Sequence, residues 1–277
     1  IPVLVEKPLA LTALAAEKLA ELAEKNSTLL QVGHIERFNP AFEEVKRRHL
    51  QPKFIRSERL GPFTGRSFDI GVVLDLMIHD LDLMLTLVEA PVESVEALGV
   101  SIYGTNEDIA NARLHFANGC VADVTASRAH PLPHRQMHMW GAEGYAGLDF
   151  ATQQLTLVQP SAELRAHGLD PARLDPASRA RIKEDLFGRH LETNAIGGHS
   201  RDQLTCELQE FVTSVQTGAS PRVSGSAGRD AVVLAERILA SLRNHSWAGN
   251  SPGPAGPRHV PAPLGPLFPP HVEQEVA

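Results

Sequence analysis

The first 33 residues set out one unit of strand, helix and strand, and the chain then never repeats it. Val3, Leu4 and Val5 are consecutively apolar and mostly β-branched, the pattern of a short strand buried on both faces of a parallel sheet. Thr12 can cap a following helix, in which Ala15, Leu19, Leu22 and Ala23 recur at helical spacing up to an Asn26-Ser27 stop. Leu29 to Val32 make a second strand ending at Gly33. This is a βαβ unit, whose crossover is expected to be right-handed. Two strands are too few to satisfy a parallel sheet. Further strands are therefore expected from before Ile1 or from another chain, and the opening Ile1-Pro2-Val3, with no methionine and no basic leader, reads as the middle of a domain.

Beyond Gly33 the pattern changes to α+β. Asn39-Pro40 opens a helix through Arg48, with Pro40 at the first helical position, where its missing N–H is harmless. Strands are predicted at 54–60, 92–103, 109–116, 121–127, 136–140 and 155–159, and Asn118-Gly119 marks a hairpin. They imply an antiparallel sheet of about five strands, in which Ala112, Leu114 and Phe116 face one side and Asn111, Arg113 and His115 the other. A mostly apolar helix covers 74–88. An amphipathic helix spans 203–216 through Leu204, Leu208, Phe211, Val212 and Val215, and a last helix spans about 229–243. Residues 160–202 give no clear pattern. The fold class is thus α/β plus α+β. Residues 1–34 read as the remnant of a dinucleotide-binding domain, 35–247 as a substrate-binding and oligomerisation domain, and 248–277 as a disordered tail rich in proline and glycine.

Composition removes several functions. Thirty-three acidic against 26 basic residues give a net charge of -7, the wrong sign for a nucleic-acid partner. No apolar run approaches the roughly 20 residues that span a bilayer. The two cysteines, Cys120 and Cys206, are too few and too far apart for a disulfide framework or a zinc cluster, which fits a cytoplasmic protein.

Three places carry candidate chemistry. Glu6-Lys7-Pro8 ends the first strand, the edge where doubly wound folds bind ligands; the competing reading is an exposed loop lysine beside a helix-starting proline. Asp75 and His79 are four residues apart, so both lie on one helical face, where a histidine suits acid/base work and a carboxylate can tune it. His79 equally fits a satisfied core histidine, or a metal stripe with Asp75 and Asp82. The run His34-Ile35-Glu36-Arg37-Phe38-Asn39 offers a hydrogen-bonding rim for a polyhydroxylated ligand, or simple packing at a domain junction. His130, His134 and His138 are spaced by four, but Pro131 and Pro133 break any helix that would align them, so they read as a loop entering a strand and no metal site is expected.

In this order, the motifs resemble those of the Gfo/Idh/MocA oxidoreductases, over roughly residues 1–245. Val5-Glu6-Lys7-Pro8 is similar to that family's EKP signature, the 33–40 segment to its domain junction, Asp75 and His79 to its D-x-x-x-H helix, and Pro221-Arg222-Val223-Ser224-Gly225 to its closing element. The resemblance implies hydride transfer between NAD or NADP and a sugar, cyclitol or nucleotide-sugar carbon. It implies that Lys7 contacts the reacting hydroxyl and the nicotinamide ribose, that His79 moves the hydroxyl proton, and that Asp75 helps bind substrate. Glu6, Lys7 and Pro8 would then border the cofactor, Arg37 and Asn39 the substrate, and the antiparallel sheet would join copies into a homo-oligomer. The family's G-x-G-x-x-G turn is missing from these 277 residues. A chain lacking that pyrophosphate site is expected to bind NAD(P) weakly or not at all and to be inactive as it stands. The alternative is a ligand-binding or assembly module without turnover.

Overall fold

A short parallel pair and a broad mixed sheet share one core, and the functional residues collect where the two meet. The structure, a computed structural model, describes residues 1–67, 69–170, 172, 174–197, 201–247 and 252–257. Strand β1 (Val3–Glu6) pairs in parallel with β2 (Leu30–Gly33), joined by helix α1 (Ala13–Lys25), whose cap Thr12 accepts from the Ala15 N–H. The pair differs from the doubly buried strands expected. Among the described residues β1 pairs with β2 alone, Val3 is exposed, and Leu4 and Val5 are half-buried. In α1 the packed face is also different: Ala16 is buried against the core, while Leu19 and Leu22 face outward. Small alanines permit close approach to the last helix, and the leucines lie on the other side.

After a 3-10 turn at Ile35–Phe38, helix α2 (Pro40–Arg47) begins on Asn39, whose Oδ1 accepts from the Ala41 N–H at 3.1 Å. Strand β3 (Phe54–Pro62) enters the large sheet. A π-helical turn (Val73–Met77) then runs straight into helix α3 (Ile78–Val88). Seven more strands complete the sheet: β4 (Val92–Val100), β5 (Ile109–Phe116), β6 (Val121–Ser127), β7 (Ala129–Gly141), β8 (Gly144–Asp149), β9 (Gln154–Pro160) and β10 (Leu191–Ile196). Their order is β10-β9-β8-β7-β3-β6-β5-β4, antiparallel throughout except that β3 and β6 run parallel. The sheet has eight strands where about five were expected: the strand predicted at 54–60 joins it as β3, and glycine-rich β8 and edge strand β10 lack an alternating apolar signal. Strand β7 also starts earlier than expected. Pro131 and Pro133 sit in it, beside the bulge between Leu60 and Pro62 of β3, where the register slips and ladder donors are not required. The expected hairpin joins β5 to β6, with Gly119 at φ +80° and Asn118 Oδ1 accepting from the Cys120 N–H.

Alternation decides which sheet face is packed. Ala110, Ala112, Leu114 and Phe116 of β5, Ala122, Val124 and Ala126 of β6, and Met137 and Met139 of β7 are buried in one core with residues of α2, α3 and the long helix α7 (Gly225–Asn244). Asn111, Arg113 and His115 face the open side, beside a stacked Phe54–Trp140 pair with ring centroids 5.3 Å apart. Short helices α4 (Ala162–His167) and α5 (Pro176–Asp185) fill part of the segment whose sequence gave no pattern.

Helix α6 (Gln203–Thr217) corrects a further expectation. Its apolar stripe, Leu204, Leu208, Val212 and Val215, is 42–50% exposed, and the buried residues are Glu207 and Ser214. Polar contacts orient it: Gln203 Nε2 reaches Glu36, and the Arg222 N–H donates to Glu210 Oε1 at 2.7 Å. Most of the tail expected to be disordered lies outside the described residues. Within it, Ala255 runs parallel to Val100 at the β4 edge, and its carbonyl accepts from the Ser101 N–H at 2.7 Å. Among the described residues no helix is long and apolar enough to cross a membrane.

Candidate active site

Lys7 leaves the C-terminal end of β1 and crosses to the π-helical turn. Its Nζ donates to the Asp75 carbonyl at 2.6 Å and to Asp75 Oδ1 at 3.2 Å, joining residues 68 positions apart. A turn with i→i+5 bonding disturbs the ordinary helical ladder and recurs at functional sites. Here the Ile78 N–H reaches back to the Val73 carbonyl, and the neighbouring Asp75 carbonyl takes the lysine. The ion pair is 18% exposed on the lysine side and 23% on the aspartate side, so it borders solvent instead of being sealed in the core. The Lys7–Pro8 peptide bond is cis.

His79 follows one turn later, in the first turn of α3. It is half-buried, and its Nδ1 is fully buried with no hydrogen-bond partner among the described residues. Burial holds its pKa well below the usual imidazole value, assisted by the positive charges of Arg59 and Lys7 and by His34 and Arg135. His34, at the end of β2, meets it edge-on, with ring centroids 6.3 Å apart at 88°. Burial lowers the His34 pKa as well; Asp82 opposes that shift, while Arg37 and Lys7 add to it. Lys7 thus lies within electrostatic reach of both rings. Two neutral imidazoles, an ammonium and a carboxylate share one edge, the donor and acceptor set needed to hold a hydroxyl and move its proton.

Under this edge lies a buried frame of charges. Arg59 Nε donates to Asp80 Oδ2 and its NH1 to Glu36 Oε1, both at 2.9 Å. Ser57 Oγ adds a bond to Asp80 Oδ1 at 2.9 Å, and the Arg59 guanidinium lies 5.6 Å from the Phe150 ring centroid. Beside it, Arg37 grips Asp82 with two bonds of 2.6 and 2.7 Å. Asp82 is therefore engaged in an ion pair, and among the described residues no group of three or more His, Cys, Asp and Glu could hold a metal ion.

Of the residues expected at the site, Lys7, Asp75 and His79 come together, and Glu6 lies at the same strand end, paired with Gly33. Asn39 does not join them. It is fully buried, and its amide is committed to the Ala41 N–H, Glu36 Oε2 and the Phe150 carbonyl, so it caps α2 and braces the frame. Arg37 is likewise committed to Asp82 and acts from behind the edge. His34, Arg59 and Asp80 were not singled out individually. One signal for Arg59 was present: Ile55, Ser57 and Arg59 alternate on the packed face of β3, and a charge on such a face needs a partner.

Glu207 is a further buried acid near this junction. It is 1% exposed, and its Oε1 has no partner among the described residues. Burial pushes its pKa up to about 7, helped by the negative charges of Glu6 and Glu210. Since the folded value lies above the unfolded one, the protonated acid costs nothing at pH 4, and stability falls as pH rises from about 4.5 to 7. Glu207→Gln is therefore expected to match the wild type near pH 4 and to exceed it by about 2–3 kcal/mol above pH 7, at about 1.4 kcal/mol per pKa unit. Thermal unfolding at both pH values checks this, and equal melting temperatures at pH 8 would refute it.

Comparison with known proteins bears on the same surface. Residues 44–146 match the family described as GFO/IDH/MocA C-terminal domain. The chain is 32% identical over 240 residues to UDP-N-acetylglucosamine 3-dehydrogenase from Acidithiobacillus ferrooxidans, covering 86% of this chain and 70% of that protein. A solved structure of that dehydrogenase, GnnA, superposes with a TM-score of 0.75 at 31% identity, over 87% of this chain and 71% of that one. Scyllo-inositol 2-dehydrogenase (NAD(+)) from Bacillus subtilis is 30% identical over 159 residues, which are 51% of this chain and 46% of that protein.

Proposed function

Given that the chain belongs to the Gfo/Idh/MocA family of NAD(P)-dependent oxidoreductases, we propose that it oxidises a ring hydroxyl of a nucleotide sugar, with UDP-N-acetylglucosamine the first compound to test. The observation that carries this reading is the meeting of Lys7, Asp75 and His79 at one solvent-bordered edge, with the imidazole neutral. Lys7 donates to the substrate oxygen and stabilises negative charge as it develops there. Asp75 aims the ammonium through the 3.2 Å ion pair. Neutral His79 accepts the hydroxyl proton while the carbon's hydride leaves, so the C–O single bond becomes a carbonyl and His79 carries the proton away.

The nicotinamide, when bound, supplies the hydride acceptor. This chain's residues fit that end of the cofactor: Glu6, Lys7 and Pro8 occupy the C-terminal edge of a parallel strand, where Lys7 would hold the nicotinamide ribose as well as the reacting oxygen. The nucleotide-sugar substrate is favoured over a cyclitol because identity to the UDP-N-acetylglucosamine enzyme is 32% over 240 residues, against 25% over 255 residues for a myo-inositol 2-dehydrogenase and 30% over only 159 residues for the scyllo-inositol enzyme.

Absorbance of reduced nicotinamide tests the proposal, with NAD+ or NADP+ and either UDP-N-acetylglucosamine or scyllo-inositol. Reduction with the nucleotide sugar is expected. Turnover of the cyclitol alone would contradict the substrate, and cofactor binding without turnover of any hydroxylated substrate would contradict the enzyme.

A further inference from the structure

His34 has no part in the proton transfer above, yet it is the least satisfied polar side chain of the site. It is 1% exposed, and neither of its ring nitrogens has a hydrogen-bond partner among the described residues. His79 Nδ1 is in the same condition. A buried polar group left unpaired costs roughly 1–3 kcal/mol, so three such atoms side by side call for a shared partner. The rings cannot supply it to each other. With centroids 6.3 Å apart, the small radius of an imidazole keeps the nitrogens beyond direct contact. One water spans such a gap with two bonds of about 2.8 Å, and sites that hold buried water offer two to four polar partners.

We infer that His34 is a positioning residue, holding one water between its ring and His79 Nδ1 so that the exchangeable site of His79 is Nε2. In this arrangement Nδ1–H donates to the water, the water donates to a nitrogen of His34, and Nε2 keeps its lone pair toward the substrate edge. A ring nitrogen's tautomer is set by the bond its partner nitrogen makes. The charged neighbours suit this. Arg37, Asp82 and Lys7 surround His34, and Arg59, Arg135 and Lys7 surround His79, with Asp75 and Asp80 flanking it in sequence. Burial is the main influence that disfavours the charged form of both rings; Lys7 adds to it at each, Arg37 at His34 and Arg59 and Arg135 at His79, while Asp82 opposes it at His34.

The inference rests on the acid/base role proposed for His79, but its test does not need turnover. Histidine labelled with ¹⁵N in the 277-residue protein reports the tautomer of each ring, and His79→Asn identifies the His79 signals. The wild type is expected to show His79 as a single neutral tautomer protonated at Nδ1. His34→Phe is expected to shift it to a mixture or to the other tautomer, while His34→Gln, which can still accept a bond, retains the wild-type pattern. Unchanged His79 signals in His34→Phe overturn the inference. If that variant does not fold, a crystal structure of the wild type decides, because the water must lie within 3.2 Å of a ring nitrogen of each histidine. Its absence there overturns the inference too. Should His79→Asn retain full turnover while the tautomer result holds, the acid/base role of His79 fails and the arrangement of the two rings stands.

Discussion

Replacing Lys7 by methionine is expected to lower turnover by about 10²–10⁴-fold with little change in fold, and His79→Asn to do the same, in the range measured for positioned acid/base and oxyanion groups. The two losses arise differently. Methionine keeps the length of the lysine stem but cannot donate to Asp75 or to a developing alkoxide, whereas asparagine keeps a polar group at position 79 but cannot accept a proton. Lys7 is 18% exposed and, among the described residues, its ammonium bonds to Asp75 alone, so its removal leaves a carboxylate that water can reach, and stability should change by less than about 1 kcal/mol. Because the two groups act on one oxygen, the double variant should be little slower than either single one. Steady-state kinetics with circular dichroism as a control for folding checks both points. Turnover within threefold of wild type in Lys7→Met would remove the lysine from the mechanism.

Arg59→Met is expected to have the largest effect on stability of any single change in the frame, about 3–5 kcal/mol, because it strands two buried carboxylates. Glu36 and Asp80 are 5% and 1% exposed, and both point at the guanidinium. With melting temperature changing about 2–4 °C per kcal/mol for a chain of this size, the variant should melt about 6–20 °C below wild type. The loss should also reach the site, since Asp80 adjoins His79 and Glu36 lies two residues from His34. Adding Glu36→Gln and Asp80→Asn should recover part of the stability, because neutral amides need no counter-ion. Calorimetry of the single and triple variants measures this. A drop of only 1–2 °C in Arg59→Met would mean that the frame is hydrated and does not support the edge.

These two expectations mark the limit of what local pattern can reveal. Lys7, Asp75 and His79 were legible because strand ends and helical spacing fix where such side chains point, and the order of the motifs did the rest. The partner of Arg59 was not legible. Asp80 lies 21 residues further on and Glu36 23 residues before it, and their meeting depends on β3 occupying the centre of the sheet, flanked by β6 in parallel and β7 antiparallel. No period in the sequence encodes that adjacency. Asn39 was misread for a related reason: an asparagine before a proline serves equally well as a helix cap and as a ligand contact, and only the closure of Glu36 and Phe150 around it decides. Helix α6 shows the reverse case. Its apolar stripe was correctly located along the helix, but a periodic stripe cannot say which side is packed, and here Gln31 and the 35–38 turn draw the polar side inward.

A crystal structure with a nicotinamide cofactor and a nucleotide sugar bound tests the central claim most directly. The reacting hydroxyl oxygen is expected within about 3.2 Å of both Lys7 Nζ and His79 Nε2, the range of a formed hydrogen bond, with the carbon that bears it facing the nicotinamide ring. A sugar ring bound with its hydroxyls away from these two groups, or His79 turned into the core with Nε2 out of reach, would contradict the account.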